Sequence, residues 1–532
     1  VDCICCGEHK ELEELDEGCS ITRIPIIHGD EHKRHLVRVF LPTIEGVYKP
    51  TVHYDCVHNQ VQSIRNRVCG VVPKPTSLGK EMLRKAVKQI TTYLQPTIPD
   101  DIYDLSRRHV GSKAERYKRA ADMVTIAGVS KVDASIKMFI KAERFNPLAK
   151  TNPDPRSIQF RGARFSVCLA MYLRPIEEQI YQFSRASDGV PHTRNVAKGL
   201  NAVDRATLLV EKAKPFRRPV FLTLDAQRFD KHIAQDHLKA EHSVYLASNP
   251  DPMFRRLLSW QLVNKCFTTL GVRYTTKGRR MSGDMNTAIG NIVIMLLMVM
   301  AVMRFMLQIL KWDVLDDGDD FVLIVEEDDV DHLMAELPGR FLEFGMEMKM
   351  DSPARGIHEV EFCQSKIIEF AMGKYKFVRD FRTVISRATS GVRNWDNQSY
   401  RSRTIHAIGT CELVLGLGVP VLQSYALCLL RNSRGDKDPV RHAPDGIRAR
   451  AMRDAALIGI KDLTNVGPQP IQPCARDSFF LAFGLSPVEQ VRLEKYFEQV
   501  TFNDYQPIFH GGEIDVGLWV YDRPTTSESY PL

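Results

Sequence analysis

Trp312-Asp-Val-Leu-Asp-Asp-Gly-Asp-Asp-Phe-Val-Leu-Ile-Val325 sets two β-favouring runs on either side of a turn rich in Gly and Asp. The pattern predicts a hairpin whose tip, Gly318-Asp319-Asp320, presents adjacent carboxylates. Neighbouring acids repel one another and hold protons unless a cation neutralises them. Such a tip calls for a divalent metal with oxygen ligands, Mg²⁺ or Mn²⁺. An isolated Asp-Gly hairpin turn is common, so the reading depends on a second metal-binding strand.

Pro219-Val-Phe-Leu-Thr-Leu-Asp225 supplies one: an apolar β-type run ending in an acid, with Asp230 five residues further on. An acid at the end of a buried strand can meet a hairpin tip on its neighbour. Asp225 and Asp319 could then hold two metals about 3.5–4 Å apart, the arrangement used for in-line phosphoryl transfer. The alternative is that Asp225 caps the helix that follows. Between these elements lies Met281-Ser-Gly-Asp-Met-Asn-Thr-Ala-Ile-Gly-Asn291. Ser282-Gly283 predicts a turn, and a long apolar helix begins near Asp284. Thr287 and Asn291 are four residues apart and share a face of that helix, where they could read a sugar hydroxyl.

The series Asp225-(x4)-Asp230, Ser282-Gly283-(x3)-Thr287-(x3)-Asn291 and Gly318-Asp319-Asp320 resembles motifs A, B and C of viral RNA-dependent RNA polymerases. Lys141-Ala-Glu143, Pro155-Arg-Ser-Ile-Gln159, Arg280-Met-Ser-Gly-Asp-Met-Asn-Thr287 and Val360-Glu-Phe-Cys-Gln364 are similar to the polymerases of tombusvirus-like plant viruses. The resemblance covers residues 55 to 425. A Gly at the tip argues against a reverse transcriptase, whose equivalent position usually carries an aromatic residue or Met.

The resemblance implies an α+β right hand. An N-terminal arm spans 1–55 and fingers 56–215. The palm takes motif A in 216–245 and motifs B to E in 277–378, with a fingers insertion over 246–276. A mostly helical thumb and tail cover 379–532. Asp225 and Asp319 become ligands of two ions, Asp320 supports one metal or the primer end, and Asp230 lies near the ribose with Ser282, Thr287 and Asn291. Asp316 and Asp317 stabilise the turn. Lys141, Lys150 and Arg156 are candidates for the incoming triphosphate, because Arg offers a planar fork and Lys a point charge. Lys349 is a candidate general acid for pyrophosphate, and Cys363 and Gln364 would position the primer. The implied partners are viral RNA template and nascent strand, NTPs, a membrane-anchored replicase protein or upstream segment, and host factors. The implied location is the host cytoplasm, in membrane-associated replication complexes. The first residue is Val1, which fits a downstream product of readthrough or frameshift.

The 532 residues are 44% hydrophobic and 26% charged, with a net charge of +7. That is enough for a large core and several subdomains. Basic side chains cluster between Lys137 and Arg164, and again from Arg401 to Arg453. Both clusters suit phosphate groups. The twelve cysteines form no disulfide framework, which suits a reducing cytosol. Cys3, Cys5, Cys6 and Cys19, near His9, match no zinc spacing and are expected to be free thiols. No signal peptide is present. The apolar run Ile292 to Met303 is expected to be too short to span a membrane and to lie buried under the catalytic strands.

Overall fold

The predicted hairpin forms, and it organises a four-stranded antiparallel sheet. In a computed structural model describing residues 11–25, 34, 36–150, 152–185, 187, 189–503, 506–509 and 520–521, that sheet runs in the order Met348–Met350, Pro219–Ala226, Asp320–Glu326, Trp312–Asp316. Cys3, Cys5, Cys6, His9 and the polar tail from residue 525 lie outside the described residues. The two inner strands are apolar on both faces: Val220, Phe221, Leu222, Phe321, Val322, Leu323, Ile324 and Val325 are all buried. A strand covered on both sides reads as a continuous hydrophobic run, and these do.

One face is covered by the helix Thr287–Met300, which continues as a wider turn over Ala301–Met306. Its 20 residues are apolar and long enough to cross a membrane, so the expectation from length was wrong. What distinguishes it is burial: every residue from Ile289 to Met303 is buried. Helices Ser77–Thr91, Ala163–Tyr181 and Gln235–Ser248 pack around it. Each fully buried Leu, Ile or Met side chain contributes about 1.5–3 kcal/mol, so this helix anchors the main core.

A second sheet has five strands, in the order Ser20–Arg23, Arg273–Lys277, Val263–Thr268, Ile136–Ile140, Ser157–Arg161. Only Ile136–Ile140 with Val263–Thr268 is a parallel pair. The N-terminal segment supplies its edge strand, and Val37–Arg38 pairs with Ser390–Gly391, so the segment crosses the body at two places. A third sheet, Glu361–Phe362, Ser365–Ala371 and Lys374–Arg379, precedes the helices Phe381–Ala388, Gln398–Gly416, Leu422–Arg431, Asp445–Leu457, Pro473–Phe483 and Pro487–Gln499. These helices share a separate core containing Tyr425, Phe479 and Phe497, into which Val37 and Phe40 insert.

Candidate active site

The register of the four-stranded sheet decides the geometry. Asp320 pairs with Asp225 across one edge of the strand Pro219–Ala226, and Lys349 pairs with Asp225 across the other. Residues paired in an antiparallel ladder project to the same face. Asp320, Asp225 and Lys349 therefore stand side by side, and all three line a cleft of about 840 Å³ together with Asp319 and Asp230.

The tip is held from behind. Asp316 is fully buried and accepts a bond from the Gly318 N–H at 2.8 Å, while the Asp317 N–H donates to the Asp320 carbonyl at 2.9 Å. Asp317 is tied down by Arg205 at 3.1 Å and by the Cys363 thiol at 3.3 Å. Asp316 and Asp317 thus stabilise the turn, as expected. Gly318 has φ +104°, and a Cβ there would lie 3.1 Å from Asn291 Cβ. Only glycine takes this conformation and this approach without strain.

In contrast, no hydrogen bond or ion pair engages the Asp225 or Asp320 carboxylate among the described residues. Burial raises the pKa of Asp319, with Asp317 and Asp225 adding repulsion that Arg156 partly offsets. Burial, then Asp319 and Asp225, push Asp320 up to about 7. Asp319 remains accessible from the cleft, so its desolvation comes from the concave surroundings rather than from full enclosure. Among the described residues, no three carboxylate, thiol or imidazole groups close on one point as a finished metal cage. Unpartnered, mutually repelling carboxylates are nonetheless the hard oxygen donors that Mg²⁺ or Mn²⁺ takes, an ion that keeps waters and uses substrate phosphates as further ligands. Asp225, Asp319 and Asp320 fit that role.

Asp230 sits in the short helix Phe229–His232, opposite the tip. Its carboxylate accepts from Asn291 Nδ2 at 3.1 Å, and Asn291 Oδ1 accepts from Arg280 Nε at 2.8 Å. Arg280 is buried and salt-bridged to Glu241. Burial raises the Asp230 pKa, and the Asn291 bond opposes that shift. Asn291 therefore acts from beneath the cleft, through Asp230.

Two of the expected sugar readers are used otherwise. Ser282 lines the cleft, but its hydroxyl donates to the Ser157 carbonyl at 2.9 Å and accepts from the Gln159 N–H at 3.2 Å. Gly283 completes this dock: its N–H donates to the Gln159 carbonyl at 2.7 Å, and a Cβ would lie 2.8 Å from that oxygen. Thr287 does not line the cleft. Its hydroxyl donates to the carbonyls of Met281 and Asp284, closing the turn before the helix. Spacing placed Thr287 on the face of Asn291, and neither residue lines the cavity.

Of the expected triphosphate ligands, Lys150 and Arg156 line the cleft and Lys141 does not. Arg156 rests 3.2 Å from Glu143, and Lys141 is 3.7 Å from the same carboxylate. Cys363 and Gln364 line the cleft edge as the two-residue turn between Phe362 and Ser365, with φ values of 51° and 57°. This is the left-handed geometry that a tight hairpin needs, held here by non-glycine residues.

The sequence reading missed further cations. Arg67, Arg228, Lys231 and Arg280 line the cleft. Arg228 and Lys231 are bound to Glu13 of the N-terminal segment, and Arg228 also to Asp154. Arg67 has no hydrogen-bond or ion-pair partner among the described residues. Burial, then Arg156 and Arg228, push its guanidinium down to about 10. It lies in an irregular turn, Ile64–Cys69, that carries no motif. Arg228 and Lys231 could have been found as the charged residues flanking Asp230.

Comparison with known proteins identifies the family. A family model described as viral RNA dependent RNA polymerase matches residues 29–504. The RNA-directed RNA polymerase of Turnip crinkle virus is 33% identical over 489 residues, covering 90% of this chain and 60% of that protein. That of Tomato bushy stunt virus (strain Cherry) is 35% identical over 463 residues, covering 84% and 54%. That of Carnation mottle virus is 31% identical over 537 residues, covering 97% and 65%. The chain thus spans 60% of the length of the Turnip crinkle virus relative. With a family match across nearly all of its length, the chain belongs to the viral RNA-dependent RNA polymerase family.

Proposed function

We propose that this chain is the polymerase portion of a viral replicase, extending an RNA 3′ end with NTPs on an RNA template. The observation that supports this best is the pairing of Asp320 with Asp225, which brings unpartnered carboxylates to one cleft wall. Arg67, Lys150 and Arg156 line the same cleft. In this reading the four-stranded sheet is the palm, the five-stranded sheet belongs to the fingers, and the helices from Phe381 onward form the thumb.

Each side chain then has a task. Asp225, Asp319 and Asp320 would hold two divalent ions, which when bound supply charge that acidifies the attacking 3′-hydroxyl and neutralises the leaving pyrophosphate. Arg67, Arg156 and Lys150 bind the triphosphate, where guanidinium forks and an ammonium match phosphate oxygens. Asp230 accepts a hydrogen bond from the ribose 2′-hydroxyl, and Asn291 keeps that carboxylate ionised and aimed. Lys349, on the same sheet face as Asp225, is placed to give a proton to the leaving pyrophosphate. Ser282 and Gly283 clamp the strand Ser157–Arg161, keeping Arg156 at the cleft.

The rival is a polymerase of DNA or a reverse transcriptase, which would require a bulky group where Asp230 and Asn291 lie. Extension of defined RNA templates, with and without primer, using NTPs or dNTPs, tests the reading. Template-dependent NTP incorporation is expected, and preference for dNTPs or absence of incorporation would refute it.

A further inference from the structure

A second cavity, of about 410 Å³, lies behind the turn carrying Cys363 and Gln364. Phe362 and Cys363 line both this cavity and the catalytic cleft and form the wall between them. The far wall is the helix Asp445–Leu457. Five cations line the space, Lys198, Arg205, Arg379, Arg450 and Arg453, against Asp317, Glu412 and Asp454.

Each carboxylate has a partner, although Asp317 Oδ1 and Asp454 Oδ2 are buried without a hydrogen bond and both carboxylates attract Arg453. Asp317 is bound to Arg205 at 3.1 Å, and Glu412 to Arg379 at 2.6 Å. Asp454 accepts from the Ala202 N–H at 3.1 Å, and burial raises its pKa against the pull of Lys376 and Arg453. Arg450 and Arg453 are left over: neither has a hydrogen bond or salt bridge among the described residues. Three positions apart on one helix, they share a face. Both are exposed at the cavity, with like-charged arginines and opposite-charged carboxylates among their neighbours. Burial, then Arg379, push the Arg450 guanidinium down to about 10. Within the same basic stretch Arg401 donates to the Trp395 carbonyl, Arg431 to the Phe497 and Val500 carbonyls, and Arg448 pairs with Asp445, whereas Arg403, Arg434 and Arg441 also have no side-chain hydrogen bond or salt bridge among the described residues. What sets Arg450 and Arg453 apart is that both stand in one cavity beside Arg205 and Arg379.

The geometry points to a second phosphoanion site, separate from the catalytic cleft, in which Arg450 and Arg453 bind the triphosphate of a free nucleotide. Guanidinium forks match phosphate oxygens in bidentate fashion. The cavity has the size of a small-molecule site, about 300–1,000 Å³, and is half the catalytic cleft, too small for an RNA strand. Its ligand would sit one residue from the catalytic tip, since Asp317 belongs to its wall.

Calorimetric titration of inorganic tripolyphosphate into the full chain, without metal or RNA, tests the proposal. The unaltered chain should show two classes of site. Arg450→Gln with Arg453→Gln should remove one class, weakening it about tenfold or more for each arginine, while Arg450→Lys retains most of it. An unchanged unfolding midpoint shows that the double variant is folded; if it unfolds, Arg450→Gln alone should weaken that class about tenfold. A single class in the unaltered chain that the double variant keeps, or two undiminished classes in the variants, overturns the proposal. A short RNA with a 5′-hydroxyl should bind the double variant as it binds the unaltered chain. Loss of RNA binding with both tripolyphosphate classes intact would assign the arginines to RNA and also overturn it. A single class that the double variant loses would count against triphosphate binding in the cleft and leave this site standing, so failure of the polymerase reading and failure of this proposal are distinguishable.

Discussion

Removing the Asn291 amide isolates ribose recognition from every other feature of the site. Asn291 is 8% exposed and makes two charge-assisted bonds, to Asp230 at 3.1 Å and from Arg280 at 2.8 Å. Asn291→Ala keeps the Cβ that packs beneath Gly318, so the tip keeps its support. Arg280 keeps Glu241, and the Asn291 acceptor that its Nε–H loses is a cost borne by both sugars alike. Asp230 alone loses the partner that favours its ionised form, and its pKa, already raised by burial, rises further. At any given pH a smaller fraction is then ionised and able to accept from a 2′-hydroxyl. A hydrogen bond to a charged group is worth about 1.5–3 kcal/mol. The NTP-over-dNTP ratio in kcat/KM should therefore shrink by about one to two orders of magnitude, through slower NTP use. Raising the pH should restore part of the ratio, because ionisation of Asp230 recovers as pH passes its elevated pKa. Single-nucleotide extension on one template with matched NTP and dNTP, from about pH 6 to pH 9, measures this. Equal losses for both sugars, with the ratio unchanged at every pH, would refute the reasoning.

Ser282→Ala should lower stability by about 1–2 kcal/mol in denaturant unfolding, because two backbone groups of Ser157 and Gln159 lose their partner; a changed sugar preference at unchanged stability would contradict the docking role. Arg67→Gln and Arg156→Ala should each raise KM for all four NTPs about equally, since phosphate contacts carry no base information; a loss confined to one base would place these residues elsewhere. Without metal, Asp319 and Asp320 have folded-state pKa values above the unfolded ones, so the stability they contribute is full at low pH and is lost as pH rises towards about 7. Thermal stabilisation by Mg²⁺ should accordingly be small at acid pH and grow towards neutrality, and a gain that does not vary with pH would argue against ion binding by these carboxylates.

What the sequence made legible was local. Gly318-Asp319-Asp320 and the strand ending at Asp225 could be read because a hairpin and a buried strand are each encoded within a few residues. Their pairing was an inference that the register upheld. The place of Lys349 opposite Asp225 depends on a three-residue strand that periodicity cannot detect. Ser282 and Thr287 carried the right residue types, but a hydroxyl's partner is set by nonlocal packing, here the strand Ser157–Arg161 and the turn at Met281. The five-stranded sheet went unread, although Val263–Thr268 alternates exposed and buried residues along its length. Its parallel partner, Ile136–Ile140, lies far away in sequence, and no local pattern reports such a pairing.

The central claim is that the carboxylates on the Asp225 strand and the Asp319 tip form the catalytic metal site. Its most direct test is incorporation of labelled NTP on an RNA template by purified Asp319→Asn, in Mg²⁺, beside the unaltered chain. The substitution removes charge and almost no volume, so RNA affinity and unfolding midpoint should be unchanged. The account predicts that synthesis falls to background while both of those persist; substantial synthesis by the variant in Mg²⁺ would contradict it.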